Sequence, residues 1–459
     1  MIKEACGLVG VANQPEAARL AYFGLYAQQH RGQESAGIVS WDGKRMYEYR
    51  GMGLVHAVFD DVRLDTSLRG ATAIGHIRYS TAGTSCARGV QPFTALHAER
   101  TIAVAHNGNL VNANSLRSRM EAEGVIFQSD ADSEIFLHLV VRKMRALDAA
   151  QAVIEACKEV RGAYSLLILV DGVLMAVRDP HGFRPLSLGK LGGSFVLASE
   201  TCAFDLLEAE YLRSLEPGEF LIVENGALRS RTLEQDAPTR QCIFELVYFA
   251  RPDSLIFGES VYMCRKAMGR ILAAEAPVEA DFVMPFPDSG VYCAVGYAQA
   301  SGLPYEQAFI RNHYVGRTFI QPTQGMRDFS VRVKHNPVRE MIGGKRIVIV
   351  DDSIVRGTTM RTRVQKLRAL GARAVHCRVS CPPVRHPCFY GVDFADPGEL
   401  LAVNRSPEDI RNLLGLDSLH FLSREGLLKA VKKPGTYCLA CFDGDYCMPP
   451  EVAGGGGTD

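Results

Sequence analysis

Lys345-Arg-Ile-Val-Ile-Val-Asp-Asp-Ser-Ile-Val-Arg-Gly-Thr-Thr359 is the stretch whose reading decides the fold of the second half of the chain. Ile347 to Val350 is β-branched and apolar at every position. A run without alternation suits a strand covered on both faces, as in a parallel α/β sheet. Asp351 and Asp352 then stand at the carboxyl end of the strand, where open α/β sheets bind ligands. Ser353 to Thr359 adds a glycine and three hydroxyls, and Val364, Leu367 and Leu370 follow at helical spacing, so the loop opens a helix. Free N–H groups at a helix N-terminus attract anions, and Gly357 lets backbone approach a phosphate closely. A bare Asp-Asp pair also reads as a solvated loop with a helix cap.

The same alternation extends outward. Phe282 to Pro285, a helix through Val291 to Ala300, the Ile347 strand, its helix over Met360 to Leu370, and Ala374 to Val379 predict βαβ units and a parallel sheet. The first half is patterned differently. Ile38 to Trp41 and Lys44 to Tyr49 flank Asp42-Gly43, Ser165 to Val170 and Val173 to Arg178 flank Asp171-Gly172, and Phe220 to Glu224 meets Asn225-Gly226. These dipeptides favour the positive φ of type I′ turns, which predicts antiparallel hairpins. Helices are expected over Glu16 to Gln29 and over Asp132 to Leu147, the latter carrying Ile135, Phe136, Leu139, Val140, Met144 and Leu147 on one broad face. Antiparallel sheets with helices on their faces predict an α+β layer sandwich. Periodicity fades between Leu233 and Arg240, where a domain boundary is expected, and Gly454 to Gly457 reads as a disordered tail.

Composition excludes several classes. A chain of 459 residues exceeds one ordinary core, so two domains are expected. Lys+Arg and Asp+Glu both number 51, so no global field selects nucleic acid or an anionic membrane. Charges and turns interrupt every apolar stretch, and neither a membrane span nor a secretory signal is read. A cytosolic protein is expected, with its 13 cysteines as thiols or metal ligands rather than disulfides. The motifs that cradle ATP or dinucleotide phosphates are missing.

The string around Asp351 and Asp352 resembles the signature of type I phosphoribosyltransferases. That resemblance implies two acids holding the ribose hydroxyls of phosphoribosyl pyrophosphate (PRPP), with Ser353, Arg356, Gly357, Thr358 and Thr359 around its 5′-phosphate. Arg311 to Pro322 resembles the family's mobile lid, with Gly316 as hinge and Arg311 and Arg317 meeting pyrophosphate. Closure would expel water and wall off a passage for ammonia. Pro287-Asp288-Ser289-Gly290 resembles the segment that joins the two acids around Mg²⁺, implying Ser289, Asp351 and Asp352 as the metal environment.

Cys6, in Ala5-Cys-Gly-Leu-Val-Gly10, would by itself read as buried packing. Downstream stand His30-Arg-Gly-Gln-Glu-Ser-Ala-Gly37, Gly75-His-Ile-Arg-Tyr-Ser-Thr81, Ala105-His-Asn-Gly-Asn-Leu110 and Ser129-Asp-Ala-Asp-Ser-Glu134. Together they resemble the N-terminal-nucleophile glutamine amidotransferases, whose fold is an αββα sandwich. The resemblance implies removal of residues 1–5, after which Cys6 is the nucleophile and its freed α-amine, with a pKa of about 7.7–8.0, the base. It also implies Asn107 and Gly108 as the oxyanion hole, Arg78 on the α-carboxylate of glutamine and Asp132 on its α-ammonium. Arg31 reads as support for the pocket. As isolated charges, Arg78 and Asp132 would read as a surface pair.

Joined in one chain, the two motif sets resemble the glutamine phosphoribosylpyrophosphate amidotransferases, which open de novo purine synthesis. The boundaries expected are 1–5 for a propeptide, 6–235 for the glutaminase, 240–450 for the phosphoribosyltransferase with a cluster-binding C-terminal segment, and 451–459 for the tail. Cys438-Leu-Ala-Cys441 alone leaves zinc, redox and cluster readings open. With Cys242 and Cys388 at the family's other ligand positions, the resemblance implies a [4Fe–4S] cluster. It is expected as a structural staple away from the substrate motifs, shielded by Phe389 and Phe442, with Cys377, Cys381 and Cys447 as bystanders. Feedback by AMP, GMP or ADP and a homo-oligomer, a tetramer, are implied as well. A PRPP-sensing gene regulator is the first rival, opposed by the full glutaminase set and the lack of a basic extension. A glutaminase-coupled synthase acting on other sugar phosphates is the second, opposed by the Asp351-Asp352 loop.

Overall fold

The computed structural model describes residues 6–79, 87–233, 237–311, 335–392 and 397–451. Side-chain alternation along the first-half strands sorts apolar residues into three layers. Leu8, Leu167, Leu169, Leu174, Leu197 and Leu221 share a core between two sheets. Val9, Ile38, Ile77 and Val196 point the other way, onto helix Ala17–Ala27. Leu166, Ile168 and Ile222 pack on helices Asp132–Lys143 and Ala149–Cys157. The result is helix, sheet, sheet, helix, with each fully buried leucine contributing about 1.5–3 kcal/mol by leaving water.

The first sheet runs Glu210–Ser214, Ser187–Leu191, Ser194–Ala198, Gly7–Val11, Thr72–Arg78, Ser35–Trp41 and Met46–Met52, antiparallel throughout. The second runs Ala227–Thr232, Glu219–Glu224, Val173–Arg178, Gly162–Val170, Arg100–Leu110 and Phe93–His97, also antiparallel. Two of the three expected type I′ turns have positive φ at both central residues: Asp171 (47°) with Gly172 (88°), and Asn225 (50°) with Gly226 (76°). At Asp42-Gly43 only the glycine does. There Asp42 Oδ1 accepts the amides of Lys44 and Arg45 at 2.8 and 2.9 Å, and this side-chain turn closes a wider loop.

The second half forms a parallel sheet in the order Phe282–Pro285, Arg346–Asp351, Ala374–Val379 and Ser418–Phe421. Ile347 to Val350 are fully buried, as an unalternating run requires, and share one core with residues of helices Val291–Ser301 and Thr358–Ala369. A two-residue parallel bridge, Gln241–Cys242 with Tyr437–Cys438, ties the start of this half to its end. Among the described residues no helix is long and apolar enough to cross a membrane.

Candidate active sites

Cys6 leads into Gly7–Val11, the middle strand of its sheet. The register pairs Gly7 with Ile77, which brings the next residue, Arg78, alongside Cys6. The thiol is buried and lies 3.7 Å from the Tyr79 carbonyl. Burial pushes the Cys6 thiol up in pKa, and the Tyr79 contact and the charges of Arg78 and Arg184 reverse only part of that. A thiol held protonated needs a base to become a nucleophile. Gly89 makes room for Arg78, because a Cβ there would strike the guanidinium. No sequence motif had singled out Gly89.

Asn107 and Gly108 stand near the end of strand Arg100–Leu110 of the facing sheet. Asn107 is buried, and neither its Oδ1 nor its Nδ2 has a hydrogen-bond partner among the described residues. Unmet buried amide groups cost about 1–3 kcal/mol each, so such a group is retained where it serves a ligand. Gly108 has φ 152°, and the Ala163 carbonyl fills the place of any Cβ. Asp132 opens helix Asp132–Lys143, where it accepts the Leu110 amide at 2.9 Å and the Ser133 hydroxyl at 3.3 Å, with His106 Nδ1 at 3.5 Å. Burial works to raise its pKa, but His106 and these hydrogen bonds outweigh it and hold the carboxylate below its usual range. His76, buried beside Arg78, is pushed down to about 3 and is neutral. Arg78 and Asp132 both lie close enough to Cys6 to bear on its ionisation.

Arg31 is buried at the junction of the two halves. Its Nε donates to the Cys6 carbonyl at 3.0 Å. Its other nitrogens reach Glu200 Oε1 at 2.5 Å and both carboxylate oxygens of Glu245 at 2.8 and 2.9 Å. Glu200 belongs to the first half, yet its Oε2 accepts the Arg251 amide and the Ser254 hydroxyl, each at 2.9 Å. Glu245 starts the turn Glu245–Phe249, which Arg265 holds by donating to Leu246 O at 2.9 Å and Ala250 O at 2.8 Å. The supporting role expected of Arg31 thus has partners from both halves, which sequence spacing does not reveal.

In the second half, pairing of Pro285 with Val350 sets Phe286 to Gly290 beside Asp351 and Asp352 at the carboxyl edge of the sheet. Gly290 lies against the Val350 carbonyl, where a Cβ would collide. Asp352 is buried and bonded to the Ser353 hydroxyl, while its amide donates to Asp351 Oδ1 at 3.1 Å. Burial and the neighbouring Asp352 raise the Asp351 pKa well above the carboxylate range. Gly357, at φ 74°, precedes helix Thr358–Ala369, so the loop does open a helix. Arg356 pairs with Glu399 at the surface and Arg311 pairs with Asp288, which leaves Arg311 near Ser289. Arg363 was not foreseen. It stacks 4.6 Å over the Phe286 ring, within charge reach of Asp351, Asp352 and Asp288. Arg317, Gly316, residues 1–5 and Gly454 to Gly457 lie outside the described residues.

Cys242, Cys388, Cys438 and Cys441 line one cavity together with Phe183, Phe244, Tyr390 and Tyr446. The pairing of Cys242 with Cys438 in the parallel bridge brings two of them together. Cys447 does not line the cavity; its Sγ lies 3.9 Å from the Tyr390 hydroxyl. Phe389 and Phe442 stand behind the lining aromatics, their ring centroids 4.9 Å from Tyr446 and 6.1 Å from Phe244. The expectation that the cavity stands away from the substrate motifs is corrected, since Asn109 donates to the carbonyl of Phe389, next to Cys388, at 3.0 Å. Among the described residues, no group of three or more His, Cys, Asp or Glu stands where it could hold a metal ion.

A sandwich with a buried cysteine leading its central strand, joined to a parallel sheet with paired acids at its carboxyl edge, defines a glutamine-dependent amidotransferase with a phosphoribosyltransferase-type partner sheet. Comparison with known proteins agrees. A family profile described as "Glutamine amidotransferase domain" matches residues 76–205. The chain is 49% identical to amidophosphoribosyltransferase 1, chloroplastic, of Arabidopsis thaliana, covering 99% of this chain and 81% of that one. It is 47% identical to the amidophosphoribosyltransferase of Archaeoglobus fulgidus, over 98% and 99% of the two chains. A solved structure of glutamine PRPP amidotransferase from B. subtilis, complexed with ADP and GMP, superposes with a TM-score of 0.90 at 45% identity, over 96% and 97% of the two chains. The chain belongs to the amidophosphoribosyltransferase family. It is an enzyme that converts PRPP and glutamine to 5-phosphoribosylamine, glutamate and pyrophosphate, the first committed step of purine biosynthesis.

Proposed function

We propose that the two reactions are divided between the halves, with residues 6–235 hydrolysing glutamine and residues 240–450 aminating PRPP. Cys6, freed of residues 1–5, attacks the carboxamide of glutamine while its own α-amine takes the thiol proton. Asn107 and Gly108 receive the oxyanion, each donor worth about 3 kcal/mol. The unpartnered, buried Asn107 amide carries this reading. Arg78 holds the α-carboxylate and Asp132, kept anionic, holds the α-ammonium. Collapse of the oxyanion breaks the C–N bond, the α-amine returns its proton to the leaving nitrogen, and water hydrolyses the remaining thioester to glutamate. Ammonia then crosses to the second site inside the protein, since in water near neutral pH it would be protonated and non-nucleophilic.

There Asp351 and Asp352 take the ribose hydroxyls, Ser353 to Thr359 the 5′-phosphate, and Arg311 and Arg317 the pyrophosphate. Two neighbouring acids, one with its pKa raised by burial and its neighbour, fit a divalent cation. Mg²⁺ near Ser289, Asp351 and Asp352 would supply charge neutralisation for the departing pyrophosphate. The solved relative that holds ADP and GMP supports inhibition by purine nucleotides, and a tetramer is proposed with it.

The subtype is the iron–sulfur one. Cys242, Cys388, Cys438 and Cys441 line one cavity whose other walls are apolar and aromatic, and four thiolates are the donor set a [4Fe–4S] cluster takes. The group would supply a structural clasp. Anaerobic protein should contain about four irons per chain, lost on Cys→Ser change at any of the four positions together with folding. Stoichiometric zinc without a brown chromophore would overturn the subtype. Retention of residues 1–5 in the intact mass of active enzyme would overturn the terminal-amine mechanism.

The division of labour is tested by two variants. Cys6→Ala should lose synthesis from glutamine and keep synthesis from concentrated ammonia at alkaline pH. Asp351→Asn with Asp352→Asn should lose both, because no amount of ammonia replaces a held ribose. Ammonia-dependent activity at the parent rate in the double Asp variant, or glutamine use by Cys6→Ala, would falsify it.

A further inference from the structure

Gly108 and Gly391 meet backbone to backbone across the two halves. At Gly391 a Cβ would lie 3.2 Å from both the Cα and the carbonyl carbon of Gly108, and its φ of 97° already disfavours any other residue. The Ala163 carbonyl presses on Gly108 as well, in the place of its own Cβ. One residue along, Asn109 Nδ2 donates to the Phe389 carbonyl at 3.0 Å. The segment that makes these contacts is itself anchored. The Tyr390 amide donates to Cys388 Sγ at 3.4 Å, its ring stacks on Phe183 at 4.2 Å, and its hydroxyl donates to the Met448 carbonyl at 2.9 Å.

The strand end that carries Asn107 and Gly108 is therefore bounded on one side by its own sheet and on the other by the second half of the chain. Oxyanion donors act only at about 2.7–3.1 Å from the developing charge, and a shift near 1 Å can cost ~10²-fold in rate. We infer that Phe389 to Gly391 sets the oxyanion-binding end of strand Arg100–Leu110, which makes Gly391 and Asn109 positioning residues for glutamine hydrolysis. The inference rests on the oxyanion assignment made above. The amidotransferase sandwich then does not complete its own donor geometry; docking of the acceptor half does, so ammonia is released efficiently only where an acceptor site stands beside it.

Asn109→Ala removes one hydrogen bond without backbone strain, and Gly391→Ala introduces the backbone contact. In full-length protein with parental iron content, each should lower the kcat of glutamine hydrolysis by about 10–100-fold with KM for glutamine within about twofold, and leave ammonia-dependent synthesis unchanged. Asn107→Ala combined with Asn109→Ala should lose no more than Asn107→Ala alone, because positioning is moot once the donor is gone. If Gly391→Ala fails to fold, Asn109→Ala decides. Parental kcat in Asn109→Ala, beside a crippled Asn107→Ala, overturns the inference and leaves the oxyanion assignment standing. Parental hydrolysis by Asn107→Ala shows instead that the assignment was wrong, and the inference falls with it.

Discussion

Asp351 shows what a proposed ligand position costs a fold in stability. Burial and Asp352 favour its protonated form in the fold. Stability linked to that proton is fully present below the unfolded carboxylate pKa of about 3.9, and it is lost as pH rises through the raised folded value. Asp351→Asn removes this loss. Thermal unfolding without Mg²⁺ should therefore show the variant gaining on the parent as pH rises above about 4, with added Mg²⁺ narrowing the difference. A stability difference that is flat with pH would disprove the buried-pair account. The residues that sequence motifs marked were those with distinctive chemistry, such as Cys6, Asn107 and the two acids. Gly89 and Arg363 were not legible, because one acts by lacking a side chain near Arg78 and the other reaches its acids from a helix whose spacing says nothing about them.

Among the elements, the strand Arg346–Asp351 and its helix were legible because burial on both faces demands unbroken apolar character, which one line of sequence displays. The Asp42-Gly43 turn was misread because the choice lay with hydrogen bonds from Lys44 and Arg45 rather than with the glycine. Gly357 ties helix Thr358–Ala369 to the loop proposed to hold the 5′-phosphate. Its φ is 74°, and a Cβ would sit 2.6 Å from Leu401 Cδ2. Gly357→Ala should destabilise the fold by about 1–3 kcal/mol in denaturant titrations and raise KM for PRPP more than KM for glutamine. Equal change in both constants would show that the loop has no special bearing on the phosphate.

At the scale of the whole molecule, the contacts joining the halves could not be read from the sequence, because Arg31 and Glu245 are far apart along the chain and nothing local announces their pairing. Both side chains are fully buried, and burial opposes the charge of Arg31 while Glu245 and Glu200 more than restore it. Arg31→Met would take the shared cation from Glu200 and Glu245, leaving Glu245 with Arg184 and Glu200 with His30, the Arg251 amide and the Ser254 hydroxyl, and should cost about 3 kcal/mol in chemical denaturation. It should also separate one unfolding transition into two, and a single transition at the parental midpoint would refute the junction. The bridge between Gln241–Cys242 and Tyr437–Cys438 bears on how the chain is born. Closing a loop of roughly two hundred residues costs on the order of 5 kcal/mol in chain entropy, and its far strand is made only after everything the loop encloses. The first half can collapse while the second is still being made, whereas the second must wait, ends unjoined and thiols open, until Tyr437 and Cys438 have been made. The interval between those events is when oxygen has its easiest access to those thiols.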